Sequence, residues 1–268
     1  MKAKLNVKLL SHTLNPELTV ATGGKLCYSA STIDELVEKQ SDESVESFIN
    51  RIFNMGHFSV MEHCTFTFGI EGVSRSLTHQ LVRHRLASYS QQSQRYVNLE
   101  KGFKYIVPSE IEDTFIEEVF EEAMEESYDY YKRITKLLLE KYIHKFLALD
   151  KGIDIKSYSF EDMESYMKEN YKKEYNAFTK KAIENARAVL PNACETKIVV
   201  TMNLRSLINF TRHRCCRRAQ DEIHNLAWEM KEVISTVSPL LGKFLGATCQ
   251  FGKCSEGAMS CGRPYPKK

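Results

Sequence analysis

The chain has no apolar run of the roughly 20 residues needed to cross a bilayer, and its opening, Met1-Lys-Ala-Lys-Leu-Asn-Val, holds no signal-peptide core. A cytoplasmic protein without a membrane partner is expected. Net charge is also nearly absent: 37 basic and 35 acidic residues leave +2, so no overall field marks a nucleic-acid binder and charge has to be read locally. No repeat or low-complexity tract is visible. What is present is 268 residues, 43% hydrophobic and 27% charged, enough apolar material for one large domain with a sizeable core. We read residues 1–268 as a single domain with a peripheral insertion at 150–175, rich in charge and tyrosine, and a cysteine-containing tail at 246–268.

In a reducing compartment the eight cysteines suggest free thiols or metal ligands over disulfides. Cys27, Cys64 and Cys194 read as small buried apolar residues. Cys249, Cys254 and Cys261, with Cys215 or Cys216 as a fourth thiolate, have the chemistry of a tetrahedral zinc site, and Gly252, Gly257 and Gly262 permit tight turns. Their spacing is not that of a standard zinc knuckle. Free thiols near a packed tail are the simpler reading, and no metal is predicted.

Leu5, Val7 and Leu9 alternate with polar residues as in a half-buried strand, whereas Val45, Phe48, Ile49, Ile52 and Phe53 repeat at helical spacing up to Gly56. Cys64, Phe66, Phe68 and Ile70 alternate with Thr65, Thr67 and Gly69, the clearest strand in the sequence. From Val73 to about Arg85 the pattern turns helical through Leu77 and Leu81, and Ser88 to Arg95 then reads as an ordered polar loop. Phe103 to Pro108 suggest a short strand. A long helix follows, with Phe115, Val119, Ala123, Tyr131, Ile134 and Leu138 on its buried face. A helix through Ile183 and Arg187 stops near Pro191, Ile198 to Met202 form a strand, and Leu204, Leu207 and Ile208 begin another helix. Strands and helices without regular alternation predict an α+β fold, a mixed or antiparallel sheet flanked by helices.

Two segments concentrate chemistry. Gln80, Arg83 and His84 stand at i, i+3 and i+4, so a helix gathers an amide, a guanidinium and an imidazole on one side. At roughly 100° per residue, Arg85 points about 200° away from Arg83, so one stretch can serve two anionic groups or two subunits. Ser88, Ser90, Ser93 and Arg95 follow with hydroxyls and a further bidentate fork for phosphate. A single such arginine is most often a solvated helix face. The second segment runs from Asn203 to Glu222 and contains Arg212-His-Arg-Cys-Cys-Arg-Arg218. Arg212 and Arg217 read as surface residues, and His57 and His63 as structural histidines.

Arg83-His84-Arg85, then seven residues, then Ser93 resembles the signature of the flavin-dependent thymidylate synthases. The likeness extends to Gly56-His57, Glu62-His63, Arg187 before Pro191, Asn203-Leu-Arg-Ser-Leu-Ile-Asn209, Arg214, Ala219-Gln220 and Glu222, all in the family's order. The resemblance implies reductive methylation of dUMP to dTMP: NADPH reduces FAD, methylenetetrahydrofolate gives the carbon, and tetrahydrofolate leaves. It implies dUMP contacts at Gln80, Arg83, Ser93, Gln94, Arg95, Arg187 and Arg214, with Arg214 activating the uracil as the catalytic residue. It implies FAD contacts at Ser59, Arg83, His84, Arg85, Gln91, Asn203, Arg205 and Asn209, and a homotetramer whose active sites are shared between subunits. Gln91 stands where some relatives have Glu, and Arg218 where some have His.

Ser93 lacks a recognisable adjacent base, so a phosphate contact is preferred to a nucleophile. No cysteine lies in the setting of the cysteine-dependent thymidylate synthases, which leaves the hard step to flavin hydride. Two rival readings stay open from sequence: a nucleic-acid-binding module using the two basic clusters, disfavoured by near-neutral charge, and a flavoenzyme acting on another nucleotide.

Overall fold

The computed structural model describes residues 1–97, 99 and 102–268. In chain order the elements are β1 (Asn6–His12), α1 (Pro16–Leu26), α2 (Ile33–Glu38), α3 (Asp42–Asn54), β2 (Thr65–Ser74), α4 (Arg75–Leu81) and β3 (Ala87–Gln91). There follow α5 (Ile116–Lys145), α6 (Phe160–Asn170), α7 (Lys172–Ala186), β4 (Glu195–Asn203), α8 (Leu204–Arg214), α9 (Asp221–Val237) and α10 (Pro239–Gly242). The chain divides into two compact units, one of Met1–Ala3 with Gln92–Glu195, the other of Lys4–Gln91 with Thr196–Lys268.

The second unit holds the sheet, in the order β1-β2-β4-β3, with β1 antiparallel to β2 and β3 antiparallel to β4. The expected α+β architecture, a sheet flanked by helices, is thus the observed one. Its period-2 burial follows from the sequence: Phe66, Phe68 and Ile70 on β2 and Ile198, Val200 and Met202 on β4 are buried, while Lys197 and Val199 face out. The helices close this core with Ile49 and Ile52 from α3, Leu77 and Leu81 from α4, Leu207 and Phe210 from α8, and Leu226 and Met230 from α9.

Both central strands run directly into a capped helix. Ser74 ends β2, and its hydroxyl accepts from the Leu77 amide at 2.9 Å; Asn203 ends β4, and its side-chain carbonyl accepts from the Ser206 amide at 2.8 Å. The helix therefore starts at Arg75, two residues later than the periodicity of Val73 suggested, because Val73 and Ser74 still belong to the strand.

Ser88 to Gln91, expected as loop, belong to a strand. Each of Ala87 to Gln91 pairs with a residue of β4, from Met202 to Ile198. The alternation was hidden because the inward set, Ala87, Tyr89 and Gln91, is half polar and only half buried. Phe103 to Pro108 form no strand: Tyr105 alone makes bridges, to Lys2 and Cys194.

The first unit is built on α5. Its buried residues are Met124, Tyr131, Leu139 and Ile143, whereas Phe115 and Val119 are exposed. Tyr131 is buried as expected, but the N-terminal part of the buried stripe passes through Met124 instead of Ala123. Leu139 and Ile143 pack with Leu147, Ile155, Met163, Met167 and Ala182 from the turn after α5, α6 and α7. Cys64 and Cys194 are buried as expected, but Cys27 is exposed just beyond the end of α1.

Candidate active site

In the sheet-bearing unit the site is assembled from the ends of α4 and α8. Ser74, 2% exposed, donates from both its amide and its hydroxyl to the Glu222 carboxylate, each at 2.6 Å. The first turn of α9 thereby braces the start of α4. Burial raises the Glu222 carboxyl above its ordinary range, opposed by these two bonds.

At the other end of α4 the chain turns through Val82, Arg83 and His84 before entering β3. The Tyr89 hydroxyl lies under that turn and contacts the carbonyl oxygens of Leu81 at 2.9 Å and His84 at 2.7 Å. Burial pushes the phenol up to about 12, so it remains a donor throughout the physiological range. Tyr89→Phe should lower stability by about 1–2 kcal/mol, since the two carbonyls lose the one proton they share, and should reduce turnover by disturbing His84. Urea midpoints and steady-state rates equal to those of the parent chain would refute the clamp.

His84 packs edge-on against Phe210 of α8, with ring centroids 4.9 Å apart, and its Nε2 accepts from Arg214 Nε at 3.1 Å. Arg214 also donates through Nη1 to the Gln80 side-chain oxygen at 3.4 Å. The structure therefore joins three of the expected residues in one chain of contacts, Gln80 to Arg214 to His84. An imidazole that accepts at Nε2 carries its proton on Nδ1. Burial first, then the Arg214 charge, lowers the His84 pKa from the ordinary 6.5 to about 4. Arg214 is itself lowered, by burial first and then by Arg83.

A depressed histidine pKa means that the unfolded chain takes up the proton first. His84 then costs no stability above pH 6.5 and becomes progressively destabilising as pH falls toward about 4. In a histidine NMR titration its ring signals should stay flat from roughly pH 5.5 to 8. A midpoint near the ordinary value would show that the buried setting of His84 beside Arg214 does not persist.

His84 and Arg214 line an open cavity of about 450 Å³ with Asn209, His213, Arg218 and Glu256. That volume lies in the range of small-molecule sites. Arg83 and Arg85 are exposed, and the exposed apolar residues Val82 and Leu86 flank them, at 41% and 75%.

The other expected positions fall elsewhere in this unit. Ser59 opens the 3-10 turn Ser59–His63, and Glu62 of that turn is paired with Arg205. Asn203 uses its carbonyl oxygen as the α8 cap. The Gln91 amide donates to Thr78 at 2.9 Å and Thr196 at 3.3 Å, tying β3 to α4 and β4. Arg212 is no surface residue: its guanidinium lies 5.3–5.8 Å from the rings of Phe53, Phe58 and Phe251. Arg217 is exposed, as expected, and stacks on Tyr265 at 4.1 Å.

In the α5 unit, Ser93, Gln94 and Arg95 are half buried in a turn after β3. The Ser93 hydroxyl accepts from the Arg95 amide at 3.2 Å, which fixes that turn. Arg95 pairs with Glu184 of α7 at 3.0 Å. Arg95 first, then Arg187 and Lys180, hold the Glu184 carboxyl below its ordinary range, so three cations surround one carboxylate. Tyr89 and the Glu222 brace were not assigned roles from sequence; the nearest signals were the Tyr within Ser88-Tyr-Ser and the family block ending at Glu222.

A cavity of this size lined by guanidinium, imidazole and amide groups is suited to a small anionic molecule. The family model described as thymidylate synthase complementing protein matches residues 8–240. A flavin-dependent thymidylate synthase of Clostridium tetani is 51% identical over 98% of this chain and 96% of its own. One from Geobacter sulfurreducens is 42% identical over 97% and 94%. Among solved structures, the UMP/dUMP methylase PolB from Streptomyces cacaoi, bound with 5-Br dUMP, shares the fold at a TM-score of 0.63 and 19% identity, covering 91% of this chain and 95% of that one. The chain belongs to the flavin-dependent thymidylate synthase family.

Proposed function

We propose that this protein converts dUMP to dTMP, taking the carbon from methylenetetrahydrofolate and releasing tetrahydrofolate, with FAD reduced by NADPH. The observation that carries this reading, beyond the family, is Arg214 held by Gln80 and His84 at the edge of a cavity of ligand size. A cation fixed before substrate arrives favours a uracil that has lost its N3 proton, or charge developing on its carbonyls. Arg214 stays protonated throughout and moves no proton. Gln80 and Arg83 are the accompanying dUMP contacts, and Ser93, Gln94, Arg95 and Arg187 serve its phosphate, with Arg95 exchanging Glu184 for the incoming anion.

The donor set suits a flavin. Asn209 offers an amide at the cavity, Arg85 is exposed for a phosphate, and neutral His84 keeps an Nδ1 proton to donate. Asn203 has its NH2 to offer and Gln91 its carbonyl, because their other ends are already bonded within the chain. Ser59, Arg83 and Arg205 complete the proposed contacts. FAD bound there supplies the hydride that completes the methyl group.

We further propose a homotetramer with shared active sites, supported by the exposed Val82 and Leu86 beside Arg83 and Arg85. Light scattering on the eluted protein measures this directly. The deciding experiment for the activity is release of dTMP from dUMP and methylenetetrahydrofolate by a yellow protein that NADPH bleaches. A colourless chain that cannot be loaded with FAD would end the reading. A flavoprotein that makes no dTMP would transfer it to another nucleotide.

A further inference from the structure

Four of the eight cysteines meet at one place. Cys216, just beyond α8, and Cys249, Cys254 and Cys261 from the C-terminal tail line a single cavity of about 40 Å³. This volume admits an ion or a water or two and no organic ligand. All four are partly buried, unlike Cys27, which is exposed, and Cys64, Cys194 and Cys215, which are fully covered. Cys215 packs into the main core and does not line the cavity. The fold therefore selects Cys216 over its neighbour.

Two of the sulfurs are already oriented by backbone amides. Cys261 Sγ accepts from the Arg263 amide and Cys249 Sγ from the Tyr265 amide, both at 3.4 Å. Gly262, at φ +68°, makes the turn that delivers the first of these donors to the sulfur two residues back.

The charge of the wall points the same way. Arg212, Arg217 and Arg263 line the cavity, and the buried Nε of Arg212 has no hydrogen-bond partner among the described residues. Glu256 lines it too, but its carboxylate is 3.9 Å from Arg218. A buried guanidinium with an unpaired donor needs an anion nearby. Four thiolates around a divalent cation carry a net charge of about −2 and meet that need.

We infer that Cys216, Cys249, Cys254 and Cys261 form a tetrathiolate site for a soft divalent metal ion of the zinc class, clasping the tail to the end of α8. Among the described residues no three such side chains yet stand in ligating geometry, so binding draws the sulfurs inward to about 2.3 Å from the ion. Each thiol gives its proton to solvent on binding, and no oxidant or reductant is required. The site is independent of the nucleotide reading, although it adjoins that cavity. Glu256, between Cys254 and Cys261, faces Arg218, and Arg218 donates to the Met259 carbonyl, so the clasp also sets the partners of Arg218.

The test is metal analysis of the full chain, purified without chelators, with titration of the reduced, metal-stripped chain by Cd²⁺. About one zinc per chain is expected, with cadmium–thiolate absorbance saturating near one equivalent. Cys254→Ser combined with Cys261→Ser should drop the zinc at least tenfold, to roughly a tenth of an equivalent, and Cys27→Ser should leave it unchanged. Should the double variant not fold, the cadmium titration of the parent chain decides alone. No metal on purification with no saturable cadmium uptake, a disulfide among these four in the fresh protein, or full zinc retained in the double variant would each overturn the inference.

Discussion

Arg214→Ala is expected to lower kcat about a hundredfold or more, whereas Ser93→Ala should cost less than about tenfold. The difference follows from what each side chain does before substrate arrives. Arg214 is already oriented by Gln80 and His84, so its charge needs no reorganisation as charge builds on the uracil. Removing it takes away a preorganised cation. Gln80 and His84 then lose a donor at the rim of an open cavity, where water replaces it, so the variant should fold normally and retain flavin.

Ser93 accepts from the Arg95 amide, and the turn from Gln92 to Val97 contains no histidine or carboxylate to act as its base. Its loss removes one replaceable hydrogen bond to phosphate, which should appear mainly in KM for dUMP. Arg214→Lys should recover little, because an ammonium cannot hold Gln80 and His84 in one planar fork. Steady-state rates with NADPH and methylenetetrahydrofolate saturating provide the comparison. Equal losses in the alanine variants would restore a nucleophilic role for Ser93.

The two hydrophobic strands were readable because burial imposes period 2 on Phe66, Phe68 and Ile70 and again on Ile198, Val200 and Met202. The strand β3 was not, because Tyr89 faces inward to hold the turn before it and Gln91 to bond Thr78, both polar tasks that erase the pattern. The grouping of Gln80 with His84 could be taken from helical spacing, although His84 itself lies in the turn after α4. Its union with Arg214 could not. That contact spans 130 residues and depends on Phe210 seating the imidazole. The Glu222 brace, 148 residues from Ser74, is equally invisible to local reading. The cysteines were visible as a set, but only the fold separates Cys216, which faces the tail cavity, from Cys215, which faces the core.

Gly72→Ala should destabilise the fold by about 3 kcal/mol or more, while Gly69→Ala on the same strand should change stability by less than about 1 kcal/mol. Gly72 has φ +68°, and a Cβ there would lie 1.8 Å from the Lys4 carbonyl oxygen and 2.9 Å from the Leu5 nitrogen. Both are backbone atoms, so no rotamer change relieves the clash. At Gly69 the nearest atoms belong to the Leu10 side chain at 3.4 Å, which can yield, and the strand conformation suits alanine. The consequence reaches the site because Ser74 stands two residues beyond Gly72 and holds both the α4 cap and the Glu222 bond. A displaced β2 end therefore tilts the helix that carries Gln80. In urea denaturation the Gly72→Ala midpoint should fall far below that of Gly69→Ala, and any folded fraction should turn over slowly for lack of an anchored Arg214. Matching midpoints would mean that Lys4 and Leu5 move aside freely, and that the approach of β1 to β2 does not fix where α4 begins.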